Sequence, residues 1–132
     1  MRYEVGVAIA TGWIVWANGP FPCGSWLDLK IARHGIQHYL NGHKKYIADG
    51  GYSYRGQFGV MLTGQNNIEQ QMQAVVRARH ETINARLKCW GALANTFRHD
   101  LRLHRMVFMS IANVVQVVME EESPAFQVDY YG

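Results

Sequence analysis

The sequence predicts an α/β domain in which about three strands, a hairpin plus one more, are flanked by helices. Three features carry that expectation. The first residues alternate in size with a period of two, since Tyr3, Val5, Val7 and Ile9 are large and Glu4, Gly6 and Ala8 stand between them, as in a β-strand. Two later stretches, from about Asn67 to Cys89 with room for a break and from about Leu101 to Met119, repeat their apolar residues at helical spacing. Hydrophobic residues make up 48% of the chain, enough to supply a core for one domain.

The alternating run Tyr3–Ile9 is followed by Ala10-Thr11-Gly12 and then by Trp13-Ile14-Val15-Trp16. So short a link containing glycine predicts an antiparallel hairpin. Gly19-Pro20-Phe21-Pro22 should end the second strand, because proline has no amide hydrogen to donate. Ser25 or Asp28 is suited to cap the next helix, in which Leu27, Ile31, Ile36 and Leu40 recur before Asn41-Gly42 and Gly35 marks a break. Lys45-Tyr46-Ile47-Ala48 reads as the third strand, ending at Asp49-Gly50-Gly51-Tyr52, where two glycines let the chain turn sharply beside an acid. Residues 53–65 show no periodicity. In the last helix Val107, Phe108, Ile111, Val114, Val115 and Val118 form the expected apolar stripe, and Phe126, Val128 and Tyr130 suggest an edge strand or an arm.

Composition excludes several classes. The longest apolar stretches, such as Tyr3–Trp16 and Val107–Met119, are interrupted and fall short of the ~20 residues of a membrane span, and the N-terminal residues do not have the pattern of a secretory signal. An intracellular, nuclear location is the expectation. Cys23 and Cys89 lie far apart and outside any C-x-x-C pair, so neither a disulfide framework nor a zinc knuckle is expected, and both read as buried thiols. The net charge is +3, and its basic excess is concentrated: Arg77, Arg79, Arg86, Lys88, Arg98, Arg102 and Arg105 stand in one helical region against Glu81 and Asp100. Such a stripe is the electrostatic footprint of a phosphate-backbone binder, and also a common form of solvated helix face.

The segment Arg77–Lys88 holds the candidate chemistry. At about 100° per residue, Arg77, Asn84 and Lys88 fall within about 60° of Glu81, and Val76, Ile83, Leu87 and Trp90 lie on the opposite side. One face packs; the other presents a carboxylate among cations and an amide.

Five segments occur in order: Arg2-Tyr3-Glu4-Val5-Gly6-Val7, Gly19-Pro20-Phe21-Pro22, Ala48-Asp49-Gly50-Gly51-Tyr52, His80-Glu81-Thr82-Ile83-Asn84-Ala85-Arg86-Leu87-Lys88 and Phe126-Gln127-Val128-Asp129-Tyr130. Together they resemble the C-terminal two-thirds of the DDE superfamily endonuclease domain of harbinger-like, IS5-related transposases. The resemblance implies a truncated RNase H-like fold, with Asp49 matching the family's second metal-binding acid and Glu81 its third, and a divalent cofactor, Mg²⁺ or Mn²⁺. In such sites two ions about 3.5–4 Å apart activate a nucleophile and stabilise the leaving oxygen, and hard cations of this kind need oxygen ligands. It further implies DNA as the partner, with Arg77, Arg79, Asn84, Arg86 and Lys88 contacting it.

The family's first acid lies upstream of the strand that begins at Arg2, and of the acids before Asp49, namely Glu4 and Asp28, neither is a good substitute. Impaired cleavage is therefore expected, together with a homo-oligomer or an upstream or partner segment that supplies the missing strand and acid. The competing expectation is a non-catalytic, transposon-derived module that binds nucleic acid or protein. His99 and His104 approach a metal spacing but have no matching pair and read as core or surface residues. Trp13, Trp16, Trp26 and Trp90 read as core.

Overall fold

The computed structural model of the chain describes residues 1–40, 46–47, 66–95 and 99–128. It is a mixed α/β arrangement of two antiparallel strands and five helices: β1 (Arg2–Val7), β2 (Ile14–Phe21), α1 (Asp28–His34), α2 (Ile36–Leu40), α3 (Asn67–Lys88), α4 (Gly91–Ala94) and α5 (Leu101–Glu121). Among the described residues no helix is long and apolar enough to cross a membrane.

The period-two alternation of β1 divides the domain into layers. Tyr3, Val5 and Val7 lie against a core built by Ile83 and Leu87 of α3 and Phe108, Ile111, Ala112, Val115 and Met119 of α5. The intervening residues face α2 instead. A Cβ on Gly6 would stand 3.2 Å from Ile36 Cδ1, and Glu4 Oε2 accepts the Ile36 amide at 3.1 Å and the Trp16 indole N–H at 2.6 Å. Both faces of the hairpin are thus covered, and Glu4, only 3% exposed, is enclosed by the second contact. Burial pushes its carboxyl above the ordinary 4.5, with the Trp16 and Ile36 hydrogen bonds pulling the other way. Its Oε1 is buried with no hydrogen-bond partner among the described residues.

The hairpin turn is held from beneath by α3. Ala8 and Trp13 close the hairpin (N···O 2.9 Å), Gly12 takes a positive φ of 75°, and the Arg79 guanidinium donates to the carbonyls of Ala8 (3.2 Å) and Ile9 (2.6 Å). These carbonyls point out of the ladder, and a planar, multi-donor cation answers two at once. On the same face His80 Nε2 meets the Val5 carbonyl at 2.9 Å, and from α5 Gln116 Oε1 accepts the Ile14 amide while Arg105 donates to the Gly19 carbonyl.

Several expectations need correction. β2 runs through Pro20 to Phe21, because Arg2 pairs with Phe21 and Glu4 with Asn18, so the ladder is irregular where Gly19 and Pro20 stand opposite Tyr3 alone. At such a bulge the missing proline amide leaves no ladder bond unmade. The break at Gly35 is present, but the N-cap of α1 is Leu27 rather than Ser25 or Asp28. The described sheet has two strands; of the expected third, Tyr46 makes an isolated bridge, and residues 45 and 48 lie outside the described residues. α3 is unbroken and capped by Asn66, whose side chain accepts the Glu69 amide, and α5 is capped by Asp100. The buried face of α5 comprises His104, Phe108, Ile111, Ala112, Val115 and Met119, leaving Val114 and Val118 outside, because the stripe follows the surface it meets rather than hydrophobicity alone. Residues 123–128 have no regular structure, in keeping with an arm rather than an edge strand, and Tyr130 lies outside the described residues. Cys23 and Cys89 are exposed, as are Trp13 (47%) and Trp90 (44%), which lie beyond the strand and helix that would have turned them inward.

Two outcomes follow. Replacing Arg79 by Met keeps bulk but strands the Ile9 carbonyl, while Ala8 keeps the bond from the Gly12 amide, which should cost about 1–3 kcal/mol in urea unfolding; Lys, lacking the fork, should restore little of it. Glu4 holds its proton more tightly in the folded than in the unfolded state. The folded state therefore binds more protons between the unfolded value near 4.5 and the raised folded value, and stability should fall as pH rises through that window. Melting of Glu4→Gln as a function of pH should lack that descent.

Candidate nucleic-acid interface

The helix that carries the expected site is formed by an uninterrupted run without glycine or proline over 22 residues. Its burial separates the residues predicted to act together. Glu81 and Lys88 are exposed and Arg77 and Asn84 half-buried, so the face set by helical spacing is present. Among the described residues, the side chains of Glu81, Arg77 and Lys88 take part in no hydrogen bond or ion pair, whereas the Asn84 amide meets His80 Nδ1 at 3.3 Å.

The other two expected phosphate contacts are engaged elsewhere. Arg79, 2% exposed, lies under the hairpin turn, with burial lowering its pKa from the ordinary arginine value. Arg86 donates to the carbonyl of Ser123 and so tethers the segment that follows α5. At about 100° per residue, Arg79, two residues before Glu81, lies about 160° around the helix from it, and Arg86, five residues after, about 140°. A basic run in sequence is thus two surfaces in space, with only Arg77 and Lys88 beside Glu81.

Asp49, the other expected metal-binding residue, lies outside the described residues. Among those described there is no group of three or more His, Cys, Asp or Glu side chains able to hold a metal ion. Glu81 supplies a single carboxylate, too few hard ligands for Mg²⁺ or Mn²⁺ by itself. Of the two expected metal ligands, Glu81 is the one among the described residues.

Next to the α3 face the structure has a cavity of about 600 Å³. Asn84 and Lys88 belong to its wall, joined by Arg2 from β1, Asn95 beyond α4 and His104 from α5. None of the described residues lining it is acidic. Its back wall is ordered by Tyr3, whose ring stacks on Phe108 with centroids 3.6 Å apart and planes at 8°, and whose hydroxyl bonds His104 Nδ1. Burial raises the Tyr3 phenol to about 12, against a lowering influence of Arg105, and burial also lowers His104. Both groups are therefore neutral near pH 7, which makes the hydroxyl the donor and His104 Nδ1 the acceptor. Nothing in the sequence joins Arg2, Tyr3, Asn95 and His104 to Lys88, since they meet it only through packing of distant segments.

No protein family, curated protein or solved structure matches this chain.

Tyr3→Phe should remove the donor to buried His104 and destabilise the fold by about 1–2 kcal/mol. Because the folded state holds His104 below its ordinary 6.5, the unfolded state binds more protons just below that pH. Stability should be lost as pH falls through 6.5, and thermal melts from pH 8 to 5 should show less of that loss once His104 is replaced by Gln.

Proposed function

We propose that this chain is a DDE-transposase-derived domain of RNase H-like ancestry that binds DNA through the outer face of α3 and has at most weak metal-dependent endonuclease activity by itself. The observation that carries the DNA-binding part is the exposed face on which Arg77, Asn84 and Lys88 surround Glu81, with Arg77 and Lys88 making no ion pair among the described residues. Cations held by no protein carboxylate are available to phosphate oxygens, and an amide beside them adds a donor and an acceptor. The transposase part rests on the five ordered segments that resemble the harbinger-like nuclease domain. In this reading Asp49 and Glu81 are the metal-binding pair, and Mg²⁺ or Mn²⁺ the ion.

The weakness of cleavage follows from ligand count. Two carboxylates give fewer oxygens and less negative charge than two divalent ions need. A non-catalytic nucleic-acid-binding module is the second reading, since the face of Arg77, Asn84 and Lys88 can meet phosphate without a metal ion.

Fluorescence anisotropy on a random-sequence duplex across a salt series tests the first part. Binding should be sequence-tolerant and weaken with salt, and Arg77→Ala and Lys88→Ala should each lower the slope of log affinity against log salt by ~0.9. A folded sample that binds no duplex even at low salt would sink the DNA-binding reading. On supercoiled plasmid with Mg²⁺ or Mn²⁺, nicking should barely exceed that of metal alone. Strong nicking abolished by Asp49→Ala would replace an impaired enzyme with an active one.

A further inference from the structure

We propose that the cavity beside Lys88 receives one unpaired nucleotide of a DNA strand, with its base in the apolar part and its phosphate on the cationic wall. The inference rests on the DNA-binding reading of the α3 face, and extends it from backbone contact to capture of a single-stranded segment. Three properties of the cavity select this ligand.

The first is size and wall chemistry. About 600 Å³ exceeds what one nucleobase requires and is ample for a nucleotide, and Val5, Leu87, Leu93 and Leu101 give the space an apolar side. A base excluded from its stack needs such a surface. The second is charge. Lys88 lines the cavity beside Arg2, whose guanidinium also donates to the Trp26 carbonyl, without an acidic residue among the described lining, so the site favours an anion carrying an apolar body over a neutral ligand or a cation. The third is polar readout. The carboxamides of Asn84 and Asn95 offer paired donors and acceptors of the kind that meet base edges, which a fatty acid or other aliphatic anion could not use.

Continuity with the α3 face makes the nucleotide part of a strand. Lys88 and Asn84 belong at once to the outward cationic face and to the cavity. A backbone tracking along α3 past Arg77 therefore reaches the cavity at Lys88. Stacked duplex bases cannot enter, so a single strand or a frayed end is the substrate.

The test uses the whole chain and a short single strand carrying one 2-aminopurine between purines, whose emission rises when that base leaves its stack. At saturating protein, with binding followed in parallel by anisotropy, emission should rise at least ~3-fold, as expected for an extruded base. Two cavity-filling variants, Leu93→Trp at the half-buried wall and Asn95→Trp at the exposed rim, should remove most of that rise. Circular dichroism identifies any variant that has not folded, and the exposed position gives the second variant the better chance of remaining intact. Strand binding without an emission change in the unmodified protein overturns the cavity proposal and leaves the DNA-binding reading standing. Absence of both strand and duplex binding overturns both. A second arm presents free 2-aminopurine deoxynucleoside monophosphate: a response to the oligonucleotide alone supports capture from a strand, and an equal response to the free nucleotide overturns the assignment to a strand while retaining the ligand chemistry.

Discussion

The two-sided burial of β1 is the constraint on which the rest of the described structure depends. A two-stranded ribbon is marginal in water by itself, and here it is stabilised because successive residues enter different layers. Tyr3, Val5 and Val7 join the core of α3 and α5, and Glu4 and Gly6 meet α2 at Ile36. The Tyr3 ring is one such link, stacked on Phe108 and bonded through its hydroxyl to His104. A one-residue slip of β1 would exchange the layers, placing Glu4 in the apolar core and Tyr3 against the short helix.

Covering both faces of so small a sheet encloses polar groups, and their partners determine which charges remain for function. Arg79 is committed to the hairpin carbonyls, Arg86 to the carbonyl of Ser123 and Arg105 to that of Gly19. Each converts a basic residue into a staple for backbone that no strand satisfies. What remains beside Glu81 is a smaller group, Arg77 and Lys88 with Asn84, at the edge of the cavity. The electrostatic character of the α3 face is thus set as much by which arginines the hairpin consumes as by the net charge of the chain.

The cavity has the same origin. It lies where β1, the end of α3, the residue after α4 and the start of α5 converge without filling the space between them. Tyr3 and His104, neutral and mutually bonded, close its wall without adding charge, so the cations are the only charged side chains in its described lining. Asn84 and Lys88 connect this interior to the outer helix face, which is why one residue pair enters both the proposed strand-binding surface and the proposed nucleotide site.

Local pattern was enough to read the hairpin, the break at Gly35, the two long helices and the angular grouping of Arg77, Glu81, Asn84 and Lys88, because period and helical angle are properties of neighbouring residues. By itself the sequence determined that α3 would have a packed side at Ile83 and Leu87 and a polar side at Glu81. It could not determine that β2 continues through Pro20, since the bulge depends on the partner strand, or that Val114 and Val118 face outward while Ala112 and Met119 face in, since that depends on what α5 meets. Helical angle already puts Arg79 across α3 from Lys88, but only the tertiary structure brought its guanidinium under the hairpin turn and joined Arg2 to Asn84 and His104. The physical reason is the same throughout: a charged side chain's role is decided by whether a backbone carbonyl, a cavity or water lies at its tip, and those neighbours come from segments far away in the chain.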